Sequence, residues 1–387
     1  MPQIVTDPQT ITRRLALGGE APRVLIKECL GVQGVATRCG SHAFEDAPVE
    51  TAHSAIVARL LEQGCAIEGT VTMHELAFGV SGVNAYAGTA LNPTWPDRIP
   101  GGSSSGAAAA VAAGLCDFAV GTDTGGSIRQ PACCCGTFGL KPTFGSVDRR
   151  GAIPRASTLD CIGPLAATAP MLTKAASLMI PAFEPVVLED FSLNGVAVAA
   201  EPDVLAAVER ALEPWDVPYV ALPSLEAAFN AGLVLINAEI ANEFGHLARS
   251  NATLGADVKT RILAALAVTD AQVDQAEAVR ARFCDEVDAA LARVDALVLP
   301  TMPCVPPTLD EARDPQSLIP LTSLVRPFNL SGHPALTIPL RTAEGLAAGL
   351  QLVGRKGEDA RLCAVAERLA RHLADPALSD RQTECTR

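Results

Sequence analysis

The chain has 387 residues, of which 49% are hydrophobic, so it is long enough to bury a large core in one or two domains. Its net charge of −13 opposes binding to a polyphosphate backbone, and we predict no nucleic-acid partner. The N-terminus lacks a basic start followed by an apolar run, and the apolar stretches are shorter than a bilayer span, so we expect a cytoplasmic protein without a membrane partner.

The first predicted strand ends at a lysine. Residues 21–27, with the sequence APRVLIK, are mostly apolar and finish at Lys27. Apolar residues at helical spacing predict a helix from Thr51 to Gly64, where the glycine supplies a C-cap. The next predicted strand is CAIEGTV at 65–71.

Two glycine-serine loops follow within one compact segment. The first, GGSSSG at 101–106, closes a long stretch rich in proline, glycine and serine. The alanine-rich residues 107–115 predict a helix, and CDFAVGTD at 116–123 predicts a buried strand. The second loop, DTGGSIR at 123–129, comes directly after that strand. We expect one helix and one strand to bring the two loops face to face.

The second half of the chain is mainly helical before it returns to strands. Charged outer faces and helical spacing predict helices over about 201–295. Three later segments predict strands and one predicts a closing helix: VDALVLPT at 294–301, HPALTIPL at 333–340, AGLQLVGR at 348–355, and ARLCAVAERLARHL at 360–373.

The alternation of strands and helices over 21–165 predicts an α/β fold, with a large sheet covered by helices on both faces. We predict one domain over residues 1–387, with the helical segment 201–295 as an excursion. Twelve cysteines without a secretory signal are expected to be reduced, and the run Cys133–Cys135 has no metal-ligand spacing. We therefore predict no metal site.

The loop Thr124-Gly125-Gly126-Ser127 has the residues needed for acyl transfer. Glycines allow a close approach of substrate and let successive backbone N–H groups point into one cavity, where they can bind an oxyanion. The Ser127 hydroxyl can then attack a carbonyl, provided that a base removes its proton. The six histidines show no triad context.

Lys27 is the best-placed base, because desolvation beside Val24, Leu25 and Ile26 would lower its pKa and leave it neutral. A lysine at a strand end is also a common solvated charge, and spacing alone leaves both interpretations open.

The segment from Arg98 to Thr143, RIPGGSSSGAAAAVAAGLCDFAVGTDTGGSIRQPACCCGTFGLKPT, closely resembles the amidase signature. The similarity extends through VLIKECLGVQGVATRCGS and MHELAFGVSGVNAYAGTALNP upstream, and through FNLSGHPALTIP and GLAAGLQLVGR downstream. The resemblance implies the α/β/α amidase signature fold. It implies Ser127 as the acylated nucleophile, Ser103 as the bridge between Ser127 and Lys27, and a cis peptide bond before Ser103.

The same resemblance implies a function and its binding residues. We expect hydrolysis of a small, soluble, linear amide without metal or organic cofactor, and a homodimer is left open. The backbone of Thr124, Gly125, Gly126 and Ser127 would supply the oxyanion donors. Phe78 could line the acyl pocket, or it could be a core residue. Arg155, in GAIPRASTLD, could pair with a substrate carboxylate, or it could be a surface ion-pair residue.

Two alternatives stay open. Residues 102–106 also satisfy GxSxG, which would make Ser104 the nucleophile of an esterase, although no strand precedes it. The chain could instead be the amidase-like component of an amidotransferase or of another multi-subunit assembly. Two departures from the family pattern, Glu28 and Thr70, bear on the surroundings of the site.

Overall fold

A mixed sheet of eleven strands forms the centre of the computed structural model, which describes residues 9–374. In spatial order the strands are β1-β3-β2-β4-β6-β5-β10-β11-β9-β7-β8. Their bounds in chain order are β1 Ile11–Gly18, β2 Arg23–Lys27, β3 Ala66–Val71, β4 Phe118–Asp123, β5 Phe138–Lys141, β6 Cys161–Ala166, β7 Leu193–Val196, β8 Tyr219–Val220, β9 Ala296–Pro300, β10 Ala335–Arg341 and β11 Ala347–Val353.

The helices lie between and after these strands along the chain, and α7, α8 and α10 each pack against α6. Their bounds are α1 Ala55–Glu62, α2 Ser105–Ala112, α3 Arg129–Cys135, α4 Ala169–Met179, α5 Pro202–Leu212, α6 Leu225–Arg249, α7 Ala256–Ala265, α8 Asp270–Leu291, α9 Pro315–Leu318, α10 Arg326–Leu330 and α11 Asp359–Leu373.

Three neighbouring strands in the first half of the sheet are parallel. Strand β2 lies between β3 and β4 and is parallel to both. Strands β4, β6, β5, β10, β11 and β9 then pair antiparallel in turn, and β9, β7 and β8 are parallel. Because β2 and β4 run in the same direction, their carboxyl ends lie side by side.

Helices cover both faces of the sheet, which confirms the predicted α/β/α layering. On β2, Val24 and Ile26 point to one face and join a core cluster that includes residues of α1, α4 and α11. The intervening Leu25 points to the opposite face and packs with residues of α2 and α3. Successive strand side chains alternate between faces, so a continuous apolar run such as β2 is what two covered faces require.

Most predicted elements are present, and the structure adds others that the sequence patterns did not predict. The helix predicted from Thr51 begins only at Ala55, after the N-cap Ser54. The segment 201–295 is mainly helical, but it also contains β8, which extends the sheet. Strands β1, β5, β6 and β7 and helices α3, α4, α9 and α10 were not predicted. In β1, Leu15 and Leu17 pack against the core, but exposed arginines precede them and leave only a short apolar alternation.

Three further features concern the described residues 9–374 only. Their helices include none long and apolar enough to cross a membrane. Their His, Cys, Asp and Glu side chains form no group able to hold a metal ion. The cysteines in this range are unpaired, and Cys133–Cys135 are buried in α3 as small apolar side chains.

Candidate active site

The site lies where β2 and β4 end together. Strand β2 ends at Lys27, and β4 ends at Asp123, immediately before the loop that carries Ser127. The first glycine-serine loop reaches the same place, because the Ser104 N–H donates to the Ser127 carbonyl over 3.2 Å. The structure therefore brings together the lysine and the two loops.

Lys27 is fully buried, and its Nζ donates to two hydroxyl oxygens, Ser103 Oγ and Thr122 Oγ1, each at 2.7 Å. Among the described residues no carboxylate oxygen lies within 4.0 Å of this Nζ. Burial lowers the pKa of Lys27 below its ordinary value, against the opposing effect of the negative charges of Asp160 and Asp123. A neutral lysine with a free lone pair is the form that can accept a proton.

Ser103 is fully buried and is held on both sides by backbone contacts. The Gly102–Ser103 peptide bond is cis, as the resemblance predicted. The Gly102 N–H donates to Gln130 Oε1 at 2.9 Å, and the Ser103 carbonyl accepts from the His74 N–H at 3.0 Å. These contacts fix the serine whose hydroxyl meets Lys27.

Ser104 has a different environment, which argues against a nucleophile at this position. Its hydroxyl donates to the Thr122 carbonyl at 3.1 Å and accepts from the Thr122 N–H at 3.3 Å. It is fully buried, and the residues before it form a loop, whereas a nucleophile elbow requires a strand there. These contacts disfavour the GxSxG interpretation, because this hydroxyl joins α2 to β4.

Ser127 is half-buried, and among the described residues its hydroxyl has no hydrogen-bond partner. Gly126 has a φ of +117°, and a Cβ there would lie 2.3 Å from Val325 Cγ2, so only glycine fits. The Gly126 N–H donates to Asp123 Oδ1 at 2.8 Å, which removes it from the predicted set of oxyanion donors. The N–H groups of Gly125 and Ser127 have no acceptor among the described residues.

A buried ionic network fixes the shape of the Ser127 loop. Asp123 accepts from the N–H groups of Gly126, Ile128 and Arg129, and its carboxylate binds the Arg129 guanidinium at 2.9 and 3.0 Å. Burial alone would raise the pKa of Asp123, but Arg129 and the Asn329 amide hold it well below its ordinary value. The loop is therefore pre-organised by a permanently charged carboxylate.

Sequence patterns missed most of this network. Arg129 also donates to Gln351 Oε1 at 2.7 Å and to Asn329 Oδ1 at 2.6 Å, and both partners lie about 200 positions later in the chain. Asp123 orients the loop by accepting from three of its backbone N–H groups, a role that the sequence analysis did not predict. A charged residue two positions after Ser127, in an otherwise uncharged helix, was the one available signal in the sequence.

The predicted substrate-binding residues lie in different settings. The Thr124 hydroxyl donates to Asp160 Oδ1 at 2.9 Å, which ties the loop to β6. Phe78 is buried, with the Arg261 guanidinium 4.5 Å above its ring. Arg155 is 82% exposed and lies 3.6 Å from Glu243 Oε1, the surface ion pair that the sequence left open.

The two departures from the family pattern make local contacts. Glu28 Oε2 accepts from the Gly40 N–H at 3.1 Å, and Thr70 Oγ1 lies 2.8 Å from Thr12 Oγ1 on β1. Neither contact involves the glycine-serine loops.

Comparison with known proteins gives a consistent result. The family model described as Amidase matches residues 23–182 and 199–363. A glutamyl-tRNA(Gln) amidotransferase subunit from Caldanaerobacter subterraneus subsp. tengcongensis is 32% identical over 89% of this chain and 81% of its own length. A crystal structure of an amidase has a TM-score of 0.82 at 32% identity, covering 92% of this chain and 86% of its own. The crystal structure of the corresponding amidotransferase subunit from Thermotoga maritima has a TM-score of 0.80 at 27% identity, covering 96% and 89%.

Proposed function

The chain belongs to the amidase family, and we propose that it cleaves the carbon–nitrogen bond of an amide through an acyl intermediate on Ser127. At the level of the family, the function is that of a carbon–nitrogen hydrolase or an amidotransferase. The observation that carries the proposal is the 2.7 Å contact between the buried Lys27 Nζ and Ser103 Oγ, beside the Ser127 loop.

The proposed reaction begins with a proton relay. Neutral Lys27 accepts the Ser103 proton while Ser103 Oγ accepts the proton of Ser127, whose Oγ forms a bond to the amide carbonyl carbon. The negative charge that develops on the carbonyl oxygen is stabilised by the N–H groups of Gly125 and Ser127. The relay then returns the proton to the leaving nitrogen as the carbon–nitrogen bond breaks. Water resolves the acyl-enzyme by the same route.

Two roles share this chemistry and differ in the fate of the nitrogen. In a free-standing amidohydrolase acting on a small linear amide, the nitrogen is released to solvent. In one component of an amidotransferase, it is passed to an acceptor with the help of partner proteins. The relatives named above favour the second role, because they include amidotransferase subunits of which this chain spans four-fifths or more. The solved amidase of equal identity supports the first.

An assay of the isolated chain separates the roles. The purified protein would be incubated with primary amides of graded acyl size, without ATP or tRNA, and ammonia release would be measured. A free-standing hydrolase turns over at least one of them, and the matched Ser127→Ala variant does not. A component of an assembly is slow alone and gains activity when isolated with its partners from its own cells. If neither preparation releases ammonia in a Ser127-dependent way, the proposed amide cleavage is wrong.

A further inference from the structure

A second arginine lies directly against the Ser127 loop. Arg326 is the first residue of α10, and a Cβ built on Gly125 would lie 3.5 Å from its Nε. The guanidinium stacks 4.3 Å from the Phe229 ring centroid, and one of its nitrogens donates to Thr322 Oγ1 at 2.7 Å. Since Gly125 provides one of the proposed oxyanion donors, the Arg326 charge lies beside the reacting carbonyl.

This positive charge has no counter-charge. Among residues 9–374 no carboxylate oxygen lies within 4.0 Å of the Arg326 guanidinium, although the whole chain has 43 acidic residues. Its Nε is buried and has no hydrogen-bond partner. Its remaining contacts are neutral: the Thr322 hydroxyl and the Phe229 carbonyl, the latter at 3.5 Å. Buried charges in proteins are normally paired, so an unpaired one beside a candidate active site calls for an external anion.

A neighbouring arginine strengthens the local positive field. Arg261 of α7 stacks on Phe78, and it too has no carboxylate within 4.0 Å among the described residues. Burial lowers the pKa of Arg326 to about 9, and the like charge of Arg261 contributes to this shift. Holding two partly buried, mutually repelling cations costs electrostatic free energy. A carboxylate bound between them or beside them would lower that free energy.

Resting on the amide cleavage proposed above, we propose that Arg326 binds a carboxylate of the substrate, so that the preferred substrate is an amide whose anionic group lies a few atoms from the scissile carbonyl. A monoamide of a dicarboxylic acid has this chemistry. The planar guanidinium fork suits a carboxylate, and its free Nε–H is one of the donors that such a ligand would use. Arg155 is the competing candidate, but its side chain is exposed and already paired with Glu243.

The test compares succinamate with butyramide, which have similar size and differ in the carboxylate. We expect kcat/KM of the wild type to be at least tenfold higher for succinamate. The Arg326→Met variant should lower the ratio of the two kcat/KM values by about 50-fold, the loss expected for a charge-assisted pair. Arg326→Lys should recover part of it, because it retains the charge. A structural role would lower both values together and leave the ratio unchanged.

Arg155→Ala is the matched control for removal of a surface cation. A change of the ratio below threefold in Arg326→Met, or a collapse of the ratio in Arg155→Ala instead, overturns the proposal.

A binding measurement keeps the test independent of turnover and of poor folding of the methionine variant. In the Ser127→Ala protein, succinamate should raise the Tm more than butyramide does, and adding Arg326→Lys should reduce this difference. Equal shifts for the two ligands contradict the carboxylate site. If the wild type cleaves neither amide nor any other, the proposed function fails, whereas a retained succinamate shift would still support the carboxylate site.

Discussion

Strands β2 and β5 each end in a fully buried lysine, yet the surroundings of the two lysines differ. Lys27 donates to the hydroxyls of Ser103 and Thr122 at 2.7 Å. Lys141 donates to the Pro142 carbonyl at 2.9 Å and lies 3.8 Å from Cys161 Sγ. Burial lowers the pKa of both lysines.

Burial alone does not make a lysine a base, because both of these lysines are buried and their contacts differ. Desolvation favours the neutral amine at both strand ends. Proton transfer also needs a chain of hydroxyl groups that leads from the lysine to the nucleophile. Of the two lysines, only Lys27 contacts a hydroxyl on the loop that is hydrogen-bonded to Ser127. The Lys141 contacts end at a carbonyl and a buried thiol. The contacts therefore fit the base proposed at the end of β2, and they fit a structural role for the lysine at the end of β5.

The largest expected effect comes from removing each of the two buried lysines in turn. Lys27→Ala should slow acylation by about 10³-fold or more, because it removes the final proton acceptor. Lys141→Ala should lower the free energy of unfolding by about 2–5 kcal/mol through the cavity it leaves, with a far smaller effect on acylation. Burst kinetics and urea unfolding measure the two quantities. A Lys27→Ala enzyme with a near-normal acylation rate would eliminate the relay.

A smaller effect distinguishes the adjacent serines of the first loop. Ser103→Ala should reduce acylation by about 10²-fold, since it interrupts the proton path. Ser104→Ala should mainly reduce stability, by about 1–3 kcal/mol, because the buried Thr122 N–H loses its acceptor. Single-turnover rates and denaturation midpoints of both variants provide the test. The reverse pattern, with Ser104→Ala the slower enzyme, would require a different nucleophile.

The pH dependence sharpens the assignment of Lys27. A protonated lysine cannot accept the Ser103 proton, so kcat/KM should rise with pH while Lys27 loses its proton and should level off above its folded pKa. Because burial lowers that pKa, the plateau should begin below the ordinary lysine value of 10.5. A rate profile from pH 6 to 10 in constant ionic strength measures this. A rate that falls over the alkaline range would contradict a neutral lysine base.

Sequence patterns predicted the parts of the site that are local in the chain. The apolar run before Lys27 left open whether that strand end is buried or solvated, and the structure shows it buried. The two glycine-serine loops were predicted to lie face to face, which the contact between the Ser104 N–H and the Ser127 carbonyl confirms. The resemblance supplied the cis bond before Ser103, which no spacing would have indicated.

Parts that depend on distant contacts could not be predicted in this way. Two partners of Arg129 lie on α10 and β11, and Arg326 lies beside the Ser127 loop because α10 packs against α6. The role of the Gly126 N–H was predicted incorrectly, because a glycine motif does not reveal which amides the neighbouring Asp123 occupies. Strand β1 was missed because an exposed edge strand lacks a strong apolar pattern.

The most direct test of the central claim is to locate the activated serine with a fluorophosphonate, which forms a bond to a nucleophilic hydroxyl as fluoride leaves. Trypsin releases both glycine-serine loops in one peptide, residues 99–129, so the modified serine must be found from fragment ions. We expect modification of Ser127, in step with loss of amidase activity and far more slowly in Lys27→Ala. Modification of Ser104, or full inactivation with Ser127 unmodified, would contradict it.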